Sequence, residues 1–210
     1  METLKGQDIR TVVERLKALM NDRKAELIEL DSAMGDGDLG LSMAAAFTKA
    51  AEELAGVEEK GVGKLLLKAG TAIARAAPST MGTLIATGFM RAGKALGDKA
   101  EADLMDVSAL VTAFAQGVAE RGKAKPGDKT ILDAFYPAAK ALEAAAAAKL
   151  SLGEGLERAC AAAAEGVEET KGMKAQHGRA AYYGEKSIGK QDPGATVGLY
   201  ILQAFRDQVS

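Results

Sequence analysis

The chain has 210 residues, a formal net charge of −2 and a single cysteine, with a sequence pI near 5.6. That length suits one large domain, expected to span 1–210, with a substantial core. The mild acidity offers no basic face for nucleic acid, and a lone Cys160 excludes an internal disulfide.

Met1–Lys5 lacks the basic-then-apolar order of a signal peptide. The longest uncharged stretch, 76–90, is interrupted by Pro78 and Gly82 and is too short to cross a bilayer, so a cytoplasmic chain without membrane contact is expected. Ile9, Val12, Val13, Leu16, Leu19 and Met20 then recur at helical spacing, followed by Leu27, Leu30 and Met34, with a break near Asn21-Asp22. After Gly35–Leu39 the run Leu41–Phe47 favours helix again. Leu65, Leu66, Ala69 and Ile73 repeat the spacing, as do Leu104, Val107, Leu110, Val111 and Phe114. Breaks at 56–61, 77–80, 97–100, 122–129, 149–152 and 171–194 leave about eight substantial helices. The short connections place neighbours antiparallel, in an all-α barrel or bundle. No segment alternates with period two, so strands are not expected. Pro137 should kink the helix begun by Thr130 or move its start, because its ring clashes with the Asp133 carbonyl. Cys160, within the Ala-rich helix 155–165, reads as a small core residue.

Leu30-Asp31-Ser32-Ala33-Met34-Gly35-Asp36-Gly37-Asp38-Leu39-Gly40 places three carboxylates among three glycines between two helical patterns. Mg²⁺ takes hard oxygen ligands in near-octahedral geometry and shares its shell with water and phosphates, which suits a short Asp cluster on bendable backbone. Gly35, Gly37 and Gly40 admit positive φ, which would let Asp36 and Asp38 turn toward a common point. A plain polar turn uses the same residue types. An EF-hand is excluded, because position 40 is Gly and the twelfth loop position is Phe47 instead of Glu. The helix that follows would point its first N–H groups at the cluster, where phosphate binds well.

Three further loops carry polar groups. Segment 171–194 is long, with five glycines, Arg179, Tyr182 and Tyr183, and loops of this length are functional or disordered. Arg121–Thr130 offers Arg121, Lys123, Lys125 and Lys129 to neutralise an anion, or a solvated charged turn. Ala77-Pro78-Ser79-Thr80-Met81-Gly82-Thr83 precedes another helix N-terminus. Gly88–Ala95 approaches a P-loop, but it follows helix and has Ala95 where a metal-binding hydroxyl belongs. Any nucleotide must therefore be held by loops at one end of the helices.

Together, Gly35–Gly40, Arg121–Thr130 and Gly178–Ala195 resemble, in order and spacing, the ADP-binding L subunits of dihydroxyacetone kinases, and the resemblance covers essentially the whole chain. It implies a barrel of eight antiparallel helices capped at one end by ADP or ATP. It implies two Mg²⁺ ions on Asp31, Asp36 and Asp38. The implied nucleotide contacts are Leu39, Gly40, Leu41 and Ser42, the turn Ser79, Thr80 and Met81, then Gly122, Ile131, Arg179, Asp192, Pro193 and Gly194. Arg179, a planar and permanently charged fork suited to phosphate, is the candidate catalytic residue. A partner K subunit would hold dihydroxyacetone covalently, and an M subunit of the phosphotransferase system would rephosphorylate bound ADP. His177 precedes the matching motif and is expected to be a loop residue. Leu39 and Lys190 stand where this family usually has His, and Pro78–Gly82 replaces a Gly-Ala-Ser-Gly type of turn. These departures bear on the sugar, with a triose or tetrose such as erythrulose as alternative, on the partner, and on whether free ATP is the donor. A nucleotide-loaded regulator acting on a transcription factor is a second class of function. A helical scaffold without chemistry is a third, opposed by the intact Asp31, Asp36, Asp38 and Arg179.

Overall fold

A computed structural model describes residues 2–209. The chain opens with a two-residue strand, β1 (Leu4–Lys5), and continues through α1 (Gly6–Asp22), α2 (Lys24–Ser32), α3 (Leu39–Leu54), α4 (Val62–Ala76) and α5 (Thr80–Leu96). A second short strand, β2 (Glu101–Ala102), precedes α6 (Leu104–Gly122), α7 (Leu132–Ala147), α8 (Leu152–Glu169) and α9 (Pro193–Val209). Capping residues set several starts. Asp103 accepts from the Asp106 N–H at 2.9 Å before α6, and the Ser151 hydroxyl accepts from Glu154 N–H at 3.2 Å while Glu154 accepts from Ser151 N–H at 3.0 Å before α8.

The helices close into a ring. Each of α3 to α8 packs on the next, α8 packs on α9, and α1 joins α9 to α3; α2, which continues beyond the break at Arg23, lies against α3 and α9. The up-and-down order brings the N-termini of α3, α5, α7 and α9 to one end. Among the described residues, the only strands lie at the other end. β1 and β2 pair antiparallel, Leu4 opposite Ala102 and Lys5 opposite Glu101. Leu4 and Ala102 are both fully buried, so this ladder closes the base of the ring. A strand of two residues is too short to carry a period-two pattern, so it leaves no trace in the sequence.

Inside the ring the aromatic rings of Phe47, Phe89, Phe114 and Phe135 form a chain across four helices, with successive centroids 6.0, 5.6 and 4.1 Å apart. Such pairs contribute about 0.5–1.5 kcal/mol each beyond burial. Elsewhere small residues let axes approach: a β-carbon at Gly63 would collide with the carbonyl oxygens of Gly93 and Gly97 across the α4–α5 contact. Pro137 neither breaks α7 nor marks its start. The helix begins at Leu132, two residues past Thr130, and runs through Pro137. The Asp133 carbonyl, which loses its helical donor to the proline, lies against Gly166 of α8. Cys160 is buried in α8, and burial pushes its thiol up to about 12, which fits an inert core residue.

Candidate nucleotide and metal site

At the end where α3, α5 and α9 begin, a cleft of about 1080 Å³ opens between the connecting loops. Asp31, Asp36, Asp38, Leu39, Ser79, Thr80, Met81, Arg121, Gly122, His177, Arg179, Asp192, Pro193 and Gly194 line it. Three helix N-termini thus present partial positive charge to one space, an arrangement that favours an anion.

The carboxylates converge because of how the 33–38 turn is folded. Asp31 sits in the last turn of α2, where the helix dipole disfavours a negative charge and a bound cation would offset it. One oxygen from each of Asp31, Asp36 and Asp38 lies within 4.8 Å of the others. Of the three glycines, Gly37 takes positive φ, at 73°. Gly35 and Gly40 do not; they are needed for space, since a β-carbon would strike the Asp31 carboxylate at Gly35 and the Lys24 carbonyl at Gly40. Burial pushes the Asp31 carboxyl above its ordinary range and the Asp36 charge adds to this, while the Leu39 N–H, donating to Asp31 at 3.3 Å, works against it. Two like charges and a half-buried carboxyl on hard oxygen donors fit a divalent cation, and Mg²⁺ with phosphate and water completing its shell suits the open side of the cluster. Bound there, such ions would neutralise negative charge on a transferring phosphoryl group.

Arg179 lies in the cleft but on a different partner from the one expected. Its Nη2 is 2.7 Å from Asp36 Oδ2, with the Arg side chain 67% and the Asp side chain 38% exposed, so the guanidinium rests on the carboxylate cluster. Ser79 caps α5, its hydroxyl accepting from Gly82 N–H at 3.1 Å. Asp192 caps α9, accepting from Ala195 N–H at 2.6 Å, and burial raises its carboxyl to about 7.

Four of the expected nucleotide contacts do not line the cleft. Gly40 is buried against α2, and Leu41, 52% exposed, faces solvent. The Ser42 N–H is spent on the Asp38 carbonyl at 2.9 Å. Ile131, 1% exposed, belongs to the core. Once Leu39 begins α3, the next residues rotate away from the helix mouth at about 100° each, which the sequence alone left unassigned.

Other residues take places around the cleft that the sequence did not assign them. His177 borders the cleft and its Nε2 is 2.9 Å from Asp128 Oδ2. Burial alone would raise Asp128, but the Lys125 N–H and His177 hold its carboxyl below the ordinary value. Asp133 accepts from Gly127 N–H at 2.5 Å and Thr130 N–H at 2.7 Å and so shapes the 127–130 turn. A lone acid in the apolar run Ile131–Phe135 was the available signal for it. Lys129, which the sequence left between an anion contact and a solvated turn, is neither: it is buried and turned inward. The 171–194 segment is ordered by 3₁₀ turns at Thr170–Gly172 and Arg179–Ser187. Lys190 donates to the Ala33 carbonyl at 2.7 Å, joining this segment to the carboxylate turn. Among the described residues no helix is long and apolar enough to cross a membrane.

The chain is similar to known proteins over most of its length. The chain is 37% identical over 177 residues, 84% of each chain, to the ADP-binding subunit DhaL of the PEP-dependent dihydroxyacetone kinase of Escherichia coli K12. It is 32% identical over 207 residues to the L-erythrulose 1-kinase of Mycolicibacterium smegmatis, covering 98% of this chain but 36% of that one. Among solved structures, the dihydroxyacetone kinase of C. freundii in complex with AMP-PNP and Mg²⁺ superposes with a TM-score of 0.73 at 27% identity, over 95% of this chain and 33% of that chain. The DAK2 domain model matches residues 33–207, from the carboxylate turn through α9, and the chain therefore belongs to the DAK2 domain family.

Proposed function

We propose that the chain is the nucleotide-binding L-type subunit of a kinase that phosphorylates a short keto-sugar on an alcohol group. It holds ADP or ATP in the cleft with two Mg²⁺ ions on Asp31, Asp36 and Asp38. The observation that carries this is the joint opening of three helix N-termini and three carboxylates onto one space, which suits a phosphate chain bridged to divalent cations. Leu39, the 79–81 turn, Gly122 and the 192–194 turn border the phosphates, and Arg179 turns from Asp36 to the phosphate oxygens once cations occupy the cluster. Phosphoryl transfer asks for in-line positioning and charge neutralisation, both of which this end of the barrel is built to supply.

The sugar is held elsewhere. The chain's one histidine, His177, is paired with Asp128, so dihydroxyacetone is proposed to be bound covalently on a partner K subunit, which also supplies the base. The DhaL relative is named as PEP-dependent, which favours an M subunit that rephosphorylates bound ADP. The erythrulose kinases among the relatives, at 32% and 35% identity, support a tetrose as second substrate reading.

Native mass spectrometry of the purified chain is expected to show ADP with two Mg²⁺. A coupled assay with K, M and phosphotransferase components omitted in turn should lose turnover at each omission. Robust phosphorylation of dihydroxyacetone by this chain with ATP alone would overturn the two-subunit assignment.

A further inference from the structure

Lys129 is 3% exposed, yet among the described residues no carboxylate lies within ion-pair distance of its ammonium. Its three N–H donors are instead matched to three backbone carbonyls: Met173 at 3.2 Å, Ser187 at 2.6 Å and Lys190 at 2.5 Å. These carbonyls lie at the two limbs of the segment that carries Arg179 over the cleft. Three converging carbonyl oxygens repel one another, and without the cation the buried Ser187 carbonyl and the partly buried Met173 and Lys190 carbonyls would each lose a donor. Lys129 adopts φ 62°, a left-handed conformation a non-glycine residue holds only where its surroundings impose it. Burial lowers the pKa of its ammonium, and the Asp192 charge opposes that.

Neighbouring contacts extend the clasp. The Asp128 carbonyl accepts from Gln176 N–H at 3.1 Å and the Asp128 carboxylate holds His177. The limbs are joined directly where Ala175 N–H donates to Ser187 Oγ at 3.0 Å and Gly189 N–H to the Lys171 carbonyl at 2.7 Å. The Lys190 side chain then reaches the Ala33 carbonyl, three residues before Asp36. One buried cation therefore sits at the joint between the Arg179 segment and the carboxylate turn.

We propose that Lys129 is a positioning residue for phosphoryl transfer, its ammonium clasping both limbs of the 173–190 segment so that Arg179 stands at the right height over the phosphates. The proposal rests on the assignment of the cleft to a nucleotide. A lysine that merely stabilised the barrel would act on ADP binding independently of Arg179; a positioning lysine acts through it.

The test is a double-mutant cycle on ADP affinity in saturating Mg²⁺, using the full chain with Lys129→Met, Arg179→Ala and both together. Lys129→Met is expected to keep its helix content, to become cleavable by protease between 174 and 190, and to lose at least about tenfold in ADP affinity; in the Arg179→Ala background the same change should cost less than about threefold. Additive losses, or an affinity within about twofold of wild type for Lys129→Met, would overturn the proposal. Should Lys129→Met fail to fold, Lys129→Arg runs the same cycle, since it keeps the charge but its planar fork cannot meet three carbonyls arranged for an ammonium. A wild-type chain that binds no ADP would overturn the cleft assignment itself, and the proposal with it, whereas binding with additive losses would overturn the role of Lys129 alone.

Discussion

Replacing Arg179 with alanine should shift metal and nucleotide affinity in opposite directions. In the structure the guanidinium occupies Asp36 at 2.7 Å, where it competes with any cation for that carboxylate. With the two side chains 67% and 38% exposed, the pair is well solvated. An exposed pair of this kind contributes about 0.2–1 kcal/mol, so Arg179→Ala should bind Mn²⁺, as a probe for Mg²⁺, about 1.5- to 5-fold more tightly in the absence of nucleotide. With nucleotide present the variant lacks a charge-assisted contact to phosphate, worth about 1.5–3 kcal/mol, so ADP affinity in saturating Mg²⁺ should fall about 10- to 150-fold. Calorimetric titration of nucleotide-stripped protein with Mn²⁺ alone, then with ADP in Mg²⁺, measures both effects. Added salt should narrow the metal difference, because screening weakens the exposed pair. Unchanged or weaker Mn²⁺ binding by the variant would refute the competition, and unchanged ADP affinity would refute the phosphate contact.

Asp38→Ala should lose tight ADP binding while its circular dichroism stays near wild type, since Asp38 contributes to the cleft and not to the core; retained affinity would remove it from the metal site. Gly63→Ala should lower the melting temperature by several degrees, because overpacking costs about 1–3 kcal/mol against backbone carbonyls that cannot yield cheaply, and it should leave ADP affinity alone because α4 begins at the opposite end. Asp192 has its folded-state pKa raised by burial from 3.8 to about 7, so the folded state binds more protons than the unfolded one across that window and stability declines as pH rises through it. Asp192→Asn retains an oxygen to cap α9 and removes that slope; its melting curve should draw above wild type from about pH 4 to about pH 7 and run parallel beyond, and parallel curves throughout would exclude the buried titration. Finally, ADP with Mg²⁺ at a hundredfold excess over Kd should stabilise the stripped protein by about 2.7 kcal/mol, an effect that EDTA should abolish.

The helices and the carboxylate cluster are legible in the sequence because both are local. Periodicity such as Ile9, Val12, Val13 and Leu16 reports which face of a helix is buried, and all four of these residues are buried in α1. Asp31, Asp36 and Asp38 fall within eight residues, so one turn with its glycines is enough to bring them together. The shared end of the distant loops followed from alternate connections in an up-and-down chain. What lay beyond the sequence depends on contacts between remote segments. Lys129 reads as one more charge in a polar turn, yet it folds inward because carbonyls 44, 58 and 61 residues along the chain converge on it and replace the water it gives up. Arg179 reads as a phosphate ligand, yet the clasped segment sets it on Asp36. Leu4 pairs with Ala102 because two extended lead-ins meet at the base of the ring, a meeting no residue pattern encodes. Gly40, Leu41, Ser42 and Ile131 stand beside cleft residues in sequence, and only the rotation of each helix and its burial against neighbours decides that they point elsewhere.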